Sequence, residues 1–581
     1  MLLKKKIIFF FTLIFSLIWE ISFPQNIQRY ITNGDEYLAK GDVYNASLNY
    51  AAYLKADSLN NEVLNKYAES LWLILDYNGA KKVYEKLYKR DRATNYPESI
   101  FWLAMVQKGL GEYDDAQKLF EKYNKRFKKR GTYYSLKSEQ EIEACKFAQQ
   151  QLLHPQTISI QHLDSAVNTP FSEFAAVEND SMIYFSSSKE KTKSTKKTVP
   201  HSAIYIFDEQ KKSLQTTDTA FVKNSTSIGN IAFSKDGKKC FYSECKNISP
   251  IETHCEIYFR AKENGKWTVA KKLSDNINMA DFTATQPSFA SVDSLGDVLF
   301  FASNRPGGEG KMDIWASVFS SDGNFGNPFN LGKKINSIDN EITPYFNDST
   351  QTLFYSSDWH KGMGGFDIFK TKRKNKSFET AVNLGYPINS SYNDLYYTTN
   401  ATETKSYFSS NRQGSYFDKF QNCCNDIYAY QIVKRDSVIK IKPLPIPVVE
   451  TKKDTVIKIV NQLKLLVPLT LYFDNDQPDS KTLKTSTNKS YNKIYETYLG
   501  LKNNYKTEYS KGLLSSKKLQ AEQNVELLFT DSVMHGMQQL QKFASLLSQI
   551  LPEGEQVKIN SIFCSACSFL RDNKPLEYSV L

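Results

Sequence analysis

Leu299-Phe-Phe-Ala-Ser-Asn-Arg-Pro-Gly-Gly-Glu-Gly-Lys-Met-Asp-Ile-Trp315 decides the fold, because this apolar run, glycine-rich turn and second apolar run come back downstream. The next copy is Leu353-Phe-Tyr-Ser-Ser-Asp-Trp-His-Lys-Gly-Met-Gly-Gly-Phe-Asp-Ile-Phe369. A third is Tyr407-Phe-Ser-Ser-Asn-Arg-Gln-Gly414, followed after an insertion by Asn425-Asp-Ile-Tyr428. Looser copies stand upstream at Ile183–Ser188 with Ile204-Tyr205, and at Cys240–Glu244 with Glu256-Ile-Tyr258. The isoleucine of the second run falls at 204, 257, 314, 368 and 427, a period of 53–59 residues. Units of that length with several short alternating strands predict propeller blades. Aromatic and β-branched residues suit strands buried between blades, and glycine suits a hairpin that needs positive φ. Radial closure removes the exposed edges that separate sheets would present. The propeller is expected over 156–434 with five or six blades.

Within each copy the recurring polar residues are Asn304, Arg305, Gly307, Gly308 and Asp313 before Trp315, then Asp358, Gly364, Gly365 and Asp367, then Asn411, Arg412 and Asp426. Two sharper roles compete for them, a metal site on the aspartates and an acidic-ligand site on Arg305 and Arg412. A residue that recurs once per blade more often ties a turn by hydrogen bonds, so these are read as the structural signature of the repeat.

Upstream, residues 26–152 are apolar at helical spacing. Gly41-Asp-Val-Tyr-Asn-Ala46, Leu75-Asp-Tyr-Asn-Gly-Ala80 and Gly111-Glu-Tyr-Asp-Asp-Ala116 overlay, with Ala46 and Ala80 separated by 34 residues, as are Tyr50 and Tyr84. A helix pair exposes one apolar face that only the next pair buries, so such units stack. Downstream, Pro443-Leu-Pro-Ile-Pro447 marks a stiff Pro- and Lys-rich linker over 435–466. A final module over 467–581 begins with a strand and turn at Val467–Asp479. A Tyr-rich helical stretch follows, then a helix with Val525, Leu528, Val533 and Leu540 on one face.

At the start, Lys4, Lys5 and Lys6 precede an apolar run from Ile7 to Trp19, the layout of a secretory signal peptide over residues 1–25. The run is too short to cross a bilayer comfortably, and no transmembrane segment is expected once it is removed. The net charge of +11 is spread along 581 residues, which argues against a nucleic-acid partner. The densest basic runs, Lys125–Arg130 and Lys189–Lys197, lack interleaved aromatics beyond Phe127. Eight cysteines are too few for a disulfide-built scaffold. Cys245 and Cys255 flank one loop and are placed to close it as a disulfide. Cys564 and Cys567 form a CxxC without the second pair or βαβ context that a metal or redox site needs. The six histidines are scattered, and neither a Gly-x-Ser-x-Gly elbow nor a His-Glu-x-x-His helix is present. No catalytic residue, metal ligand or cofactor is read from the sequence.

On these motifs the helical segment resembles tetratricopeptide (TPR) repeats, with Trp102–Tyr113 the most family-like stretch. The blades resemble the WD-type, TolB-like propeller repeat, Ser-Asn/Asp-Arg-Pro-Gly-Gly followed by Asp-Ile-Trp/Tyr. The final module looks like the start of an OmpA-like peptidoglycan-binding domain, departing from that pattern after about Asn560, as a truncation or frameshift would produce. The whole resembles OmpA-family periplasmic proteins of Bacteroidetes-type bacteria, some of which link type IX secretion and gliding machinery to the wall. The resemblance implies a multidomain α + β chain: an α-helical TPR solenoid, an all-β propeller and an incomplete α/β OmpA-like module. It also implies a non-catalytic cell-envelope scaffold, not an enzyme, in the periplasm beside the outer membrane or cell wall. Its partners would be periplasmic or outer-membrane proteins, with peptidoglycan added only if the last domain were complete. The alternative reading is a periplasmic peptide- or glycan-binding propeller or, less favoured, an enzyme accessory subunit.

Overall fold

The computed structural model describes residues 27–432 apart from 191–200, 216–220, 222–225, 250–251 and 418–423, together with 490–513 and scattered positions from 517 to 547. The leader, the linker over 435–466, the strand and turn at 467–479, Asn560 and the residues after it, and the Cys564/Cys567 pair lie outside the described residues. The chain divides into two compact units, 1–435 and 436–581.

The first unit opens with seven helices: α1 over 27–39, α2 Val43–Ala56, α3 Asn61–Leu73, α4 Tyr77–Asp91, α5 Ser99–Gly109, α6 Tyr113–Phe127 and α7 Tyr133–Leu153. Side-chain caps fix where several begin. Asp42 accepts from the Asn45 amide, Asn60 from Glu62 and Val63, and Asp76 from Gly79, each satisfying an amide that the first helical turn leaves open. The repeated small residues Ala46, Ala80 and Ala116 are fully buried, as are Tyr50, Tyr84 and Phe120 four residues on. Alanine lets two helix backbones approach while the aromatic fills the groove beside them. Five rather than six blades follow among the described residues, three of four strands and two of five.

The innermost strands are Glu173–Asn179, Ser227–Phe233, Ala284–Val292, Glu341–Asn347 and Asp394–Thr399, in blades 1 to 5. Trp315, Phe369 and Tyr428 occupy equivalent third strands, opposite Phe301, Tyr355 and Phe408. Blade 5 takes its outermost strand from the other end of the propeller: Gln161 pairs with Ala429 and His162 with Tyr428. That strand precedes blade 1 in sequence, so the ring is closed by hydrogen bonds between its two ends.

Each of four third strands is pinned by a buried asparagine that the repeat signature does not include. Asn168, Asn278, Asn336 and Asn389 accept from the amides of Ile427, Ile257, Ile314 and Ile368 and donate back to the same isoleucines' carbonyls. They share a sequence pattern, Leu-x-x-x-Ile/Val-Asn, at 163–168, 273–278, 331–336 and 384–389. Arg305 and Arg412 clamp the same loops. Arg305 donates to the Asn276 and Ile277 carbonyls, and Arg412 donates to those of Pro387 and Ile388.

The hairpin glycines correct one expectation. Gly307 has φ +87°, but Gly364 and Gly365 do not adopt positive φ. A Cβ on Gly364 would run into the Tyr392 carbonyl oxygen, so close approach of the next loop is what requires glycine there.

The helices dock on the propeller face where the innermost strands begin. Tyr133 donates to Asp339 (2.6 Å), Lys137 donates to the Asp358 carbonyl, and Met363 is buried among Phe101, Ala104 and Cys145. Under this contact Glu141 pairs with Lys108 (2.5 Å) and Lys137 (3.0 Å), all three side chains no more than 6% exposed.

Cys245 and Cys255 face each other across blade 2 and are joined by a disulfide. Replacing both by serine is expected to lower stability by about 2–3 kcal/mol, because the unfolded chain loses a closed loop. A thermal-melt shift in the double variant, matched by reductant on the natural chain, is the check.

In the second unit, Tyr491–Gly500 and Lys502–Ser510 are helical and Leu528–Val533 forms a π-helical turn. Tyr498, Val525, Phe529 and Val533 are buried together. Val525, Leu528 and Val533 are thus part of one apolar cluster, with Leu528 partly buried.

Candidate functional site

Each innermost strand contains one extra residue. The register slips between Phe174 and Val177, Gly229 and Ala232, Thr285 and Ser288, Ile342 and Tyr345, and Leu395 and Thr398. Ala175, Asn230, Gln286, Thr343 and Tyr396 sit at these bulges with φ of 54–57°. Left-handed φ is uncommon for residues other than glycine and unfavourable for β-branched threonine. Repeated strain of this kind clusters where a fold is shaped for a ligand.

The ring of bulges forms one end of a cavity of about 230 Å³ on the propeller axis. Its wall runs from Ala175, Asn230, Gln286, Thr343 and Tyr396 along the second halves of the inner strands to Asn179, Ser234 and Asp348. It therefore faces away from the helices. Aromatic and proline surfaces (Phe233, Pro287, Pro344, Tyr345) alternate with neutral polar groups. Two polar atoms of wall residues, Asn230 Oδ1 and Asn179 Nδ2, have neither a hydrogen-bond partner nor exposed surface. An unpaired buried polar atom costs about 1–3 kcal/mol. The Tyr396 hydroxyl accepts from Gln286 Nε2 at 3.3 Å. The acids of the wall are Glu178, paired with Lys405 at 3.0 Å, and Asp348, 3.9 Å from Lys235.

The residues of the repeat signature lie elsewhere, on the opposite face and between blades. Asp313 accepts from the Glu309 amide, Asp367 from Met363 (2.5 Å) and Gly364 (3.2 Å), and Asp426 from Tyr416 (2.7 Å). Asn304, Asp358 and Asn411 each accept a backbone amide of the preceding connection, from Thr283, Asn340 and Asn393. Gly308 packs against Asp313, and Gly365 against Asn393. Trp315 is stacked under Arg305, 5.4 Å away. The structure brings none of these into the axial cavity. The bulge residues escaped sequence reading because five different residue types occupy one structural position, leaving no repeated letter to find. Among the described residues, no cluster of three or more His, Cys, Asp or Glu could hold a metal ion, and no helix is long and apolar enough to cross a membrane.

Three buried carboxyls give the propeller a pH dependence. Burial pushes Glu173 and Glu341 up to about 7, against hydrogen bonds from serine and threonine, and pushes Asp367 up to about 8 against the nearby Lys108. A carboxyl whose pKa rises on folding keeps its proton longer in the folded chain. Its contribution is full below the unfolded value near 4.5 and is lost as pH rises through the folded one. Stability is therefore expected to fall between about pH 4.5 and 8, and Glu173→Gln with Glu341→Gln is expected to flatten the decline. Urea midpoints across that range are the measurement, and an unchanged slope in the double variant contradicts the assignment.

Fold and site together define a five-bladed propeller with an axial cavity and a helical region docked on the opposite face. No protein-family model matches the chain, and no curated protein matches it. Solved structures do. A xylan β-1,4-xylosidase from Bacillus halodurans C-125 aligns at 12% identity over 47% of this chain and 55% of its own, with a TM-score of 0.32. An α-L-arabinofuranosidase from Lactobacillus brevis aligns at 12% identity over 49% and 97%, with a TM-score of 0.31. A protein of unknown function from Dyadobacter fermentans aligns at 7% identity over 47% and 98%, with a TM-score of 0.27. The chain thus spans about half the length of the xylosidase. These matches correct two expectations, that the chain is a non-catalytic scaffold and that it is not an enzyme: the similar structures include glycoside hydrolases, and both exclusions are withdrawn. At such identities and TM-scores the likeness transfers no activity to this chain.

Proposed function

We propose that the axial cavity binds a small neutral polyhydroxy ligand of the monosaccharide class. The observation that carries this reading is a cavity wall in which aromatic and proline faces alternate with neutral polar residues, among them Asn230 and Asn179, whose Oδ1 and Nδ2 atoms lack hydrogen-bond partners. A sugar hydroxyl both donates and accepts, and the C–H faces of the ring pack on such surfaces. The volume of about 230 Å³ holds one ring but falls below the usual range for larger ligands. The paired charges at Glu178 and Asp348 leave the cavity without a strong single-sign field. Any hydrolytic chemistry in the cavity would run through those two carboxylates, since glycoside hydrolysis uses a pair.

Calorimetric titration with xylose, arabinose, glucose and galactose is the test. One of them is expected to bind with a Kd of about 0.1–10 mM, and Asn230→Ala to weaken it about ten-fold. No saturable heat from any of the four contradicts the reading. Aryl-glycoside turnover abolished by Glu178→Gln or Asp348→Asn would extend it from binding to catalysis.

The reading places the chain in the periplasm, at the cell envelope. The basic, apolar leader and the disulfide between Cys245 and Cys255 support an exported, oxidising location. The starts of α2, α4 and α6, at Val43, Tyr77 and Tyr113, support a TPR-type stacking of the helices. Cell fractionation with detection of the full chain tests the location.

A further inference from the structure

Around the axis, the bulge amides of four blades meet a hydroxyl from the blade before, a second-strand serine for blades 1, 2 and 3 and the bulge threonine for blade 5. The Ala175 amide donates to Ser409 Oγ (3.3 Å), that of Asn230 to Ser186 Oγ (3.0 Å), that of Gln286 to Ser243 Oγ (3.0 Å), and that of Tyr396 to Thr343 Oγ1 (3.3 Å). The serine pattern is varied once, where Thr343 Oγ1 stands between the Tyr396 amide and Ser356, and is lost once. Blade 3 has Ala302 at the position of Ser186, Ser243, Ser356 and Ser409, so the Thr343 amide has no serine to meet. Gln286 takes its place: the Thr343 amide donates to Gln286 Oε1 at 2.9 Å. The same carboxamide donates through Nε2 to the Tyr396 hydroxyl at 3.3 Å, reaching past blade 4 to blade 5, and the Tyr396 ring lies 5.3 Å from Phe174 of blade 1.

We infer that Gln286 is a latch that completes the ring where Ala302 breaks it and, by reaching Tyr396, shuts the axial channel and gives the cavity its floor. A serine in place of Ala302 would satisfy Thr343 from the side and leave the axis open. Alanine forces the repair to come from within the channel. The latch stands on the geometry alone. Its consequence, that the floor limits the cavity to one sugar ring, rests on the ligand reading above.

The two are separated by comparing the full chain with Gln286→Ala and with Gln286→Ala/Ala302→Ser. Hydrogen exchange of the Thr343 amide is expected to speed up about ten-fold in the single variant, as loss of one hydrogen bond implies. It is expected to return near the natural rate when the serine introduced by Ala302→Ser supplies the hydroxyl. Exchange unchanged by Gln286→Ala, or not restored by Ala302→Ser, overturns the latch. In the double variant the ring is intact and the floor is gone. Xylotriose is then expected to bind about ten-fold more tightly than to the natural chain, with xylose weakened. A double variant that regains exchange protection yet binds xylotriose no better overturns the floor. If xylose fails to bind the natural chain, the ligand reading falls, and the exchange result still decides the latch.

Discussion

Replacing Asn389 by alanine is expected to destabilise the propeller by about 2–4 kcal/mol, the sum of one orphaned backbone amide, a weakened carbonyl bond and a small void. The Asn389 side chain is fully buried. Its Oδ1 accepts from the Ile368 amide, and its Nδ2 donates to the Ile368 carbonyl and to Asn383 Oδ1, each at 2.8 Å. Alanine leaves the Ile368 amide without a partner between packed blades, while the Ile368 carbonyl keeps only the bond from the Leu384 amide (3.0 Å). Asn389→Asp keeps an acceptor for the amide but sets a carboxylate against the carbonyl, so it is expected to fail as badly. Urea unfolding of the full chain measures the effect, and a loss below about 1 kcal/mol would show that the loop repacks to satisfy Ile368. Equivalent losses are expected at Asn168, Asn278 and Asn336, whose bonds are the same.

Glu141→Ala is expected to cost about 3–5 kcal/mol through a different mechanism. It leaves Lys108 and Lys137 charged and buried beneath the contact between helices and propeller. Burial works to lower the Lys108 pKa, yet Glu141, Cys145 and Asp367 beside it hold the group above the usual lysine range. Burial likewise opposes the charge on Glu141, and the two lysines outweigh it, keeping its carboxyl below the usual range. Lys108 and Glu141 are thus both charged at neutral pH, and removing the one anion is worse than removing the pair. Lys108→Met/Glu141→Gln is therefore expected to recover more than half of the loss, since the introduced glutamine still accepts from Lys137. A double variant no more stable than Glu141→Ala would mean that the ion pair itself, not the stranded lysines, sets the cost.

These two sites show where the sequence is legible and where it is not. The blade repeat and the equivalence of Trp315, Phe369 and Tyr428 follow from recurring apolar letters, because every blade must bury the same kind of strand against its neighbours, while the choice between five and six blades came only from the structure. The Asn pins were also written in the sequence, as Leu-x-x-x-Ile/Val-Asn, but the pattern is short, polar at its end and spread over connecting loops. Glu141 could not be found that way. Its partners Lys108 and Lys137 lie on two helices, and the propeller loop that buries them is over 200 residues further on. The axial cavity was equally hidden, since its bulges are conformations rather than residue types, and Ala175, Asn230, Gln286, Thr343 and Tyr396 have no chemistry in common. The functional expectation failed for a related reason. It was drawn from the resemblance carried jointly by the leader, the helical and blade repeats and the final module, whereas the cavity is lined by residues that differ from blade to blade.

The most direct test is a crystal structure of the full chain soaked in xylose. Sugar is expected inside the ring of bulges and above the Gln286–Tyr396 floor, with a hydroxyl within about 3.2 Å of the Asn230 carboxamide. An axial cavity holding only water, with sugar bound on the helix-bearing face or nowhere, would contradict the proposal.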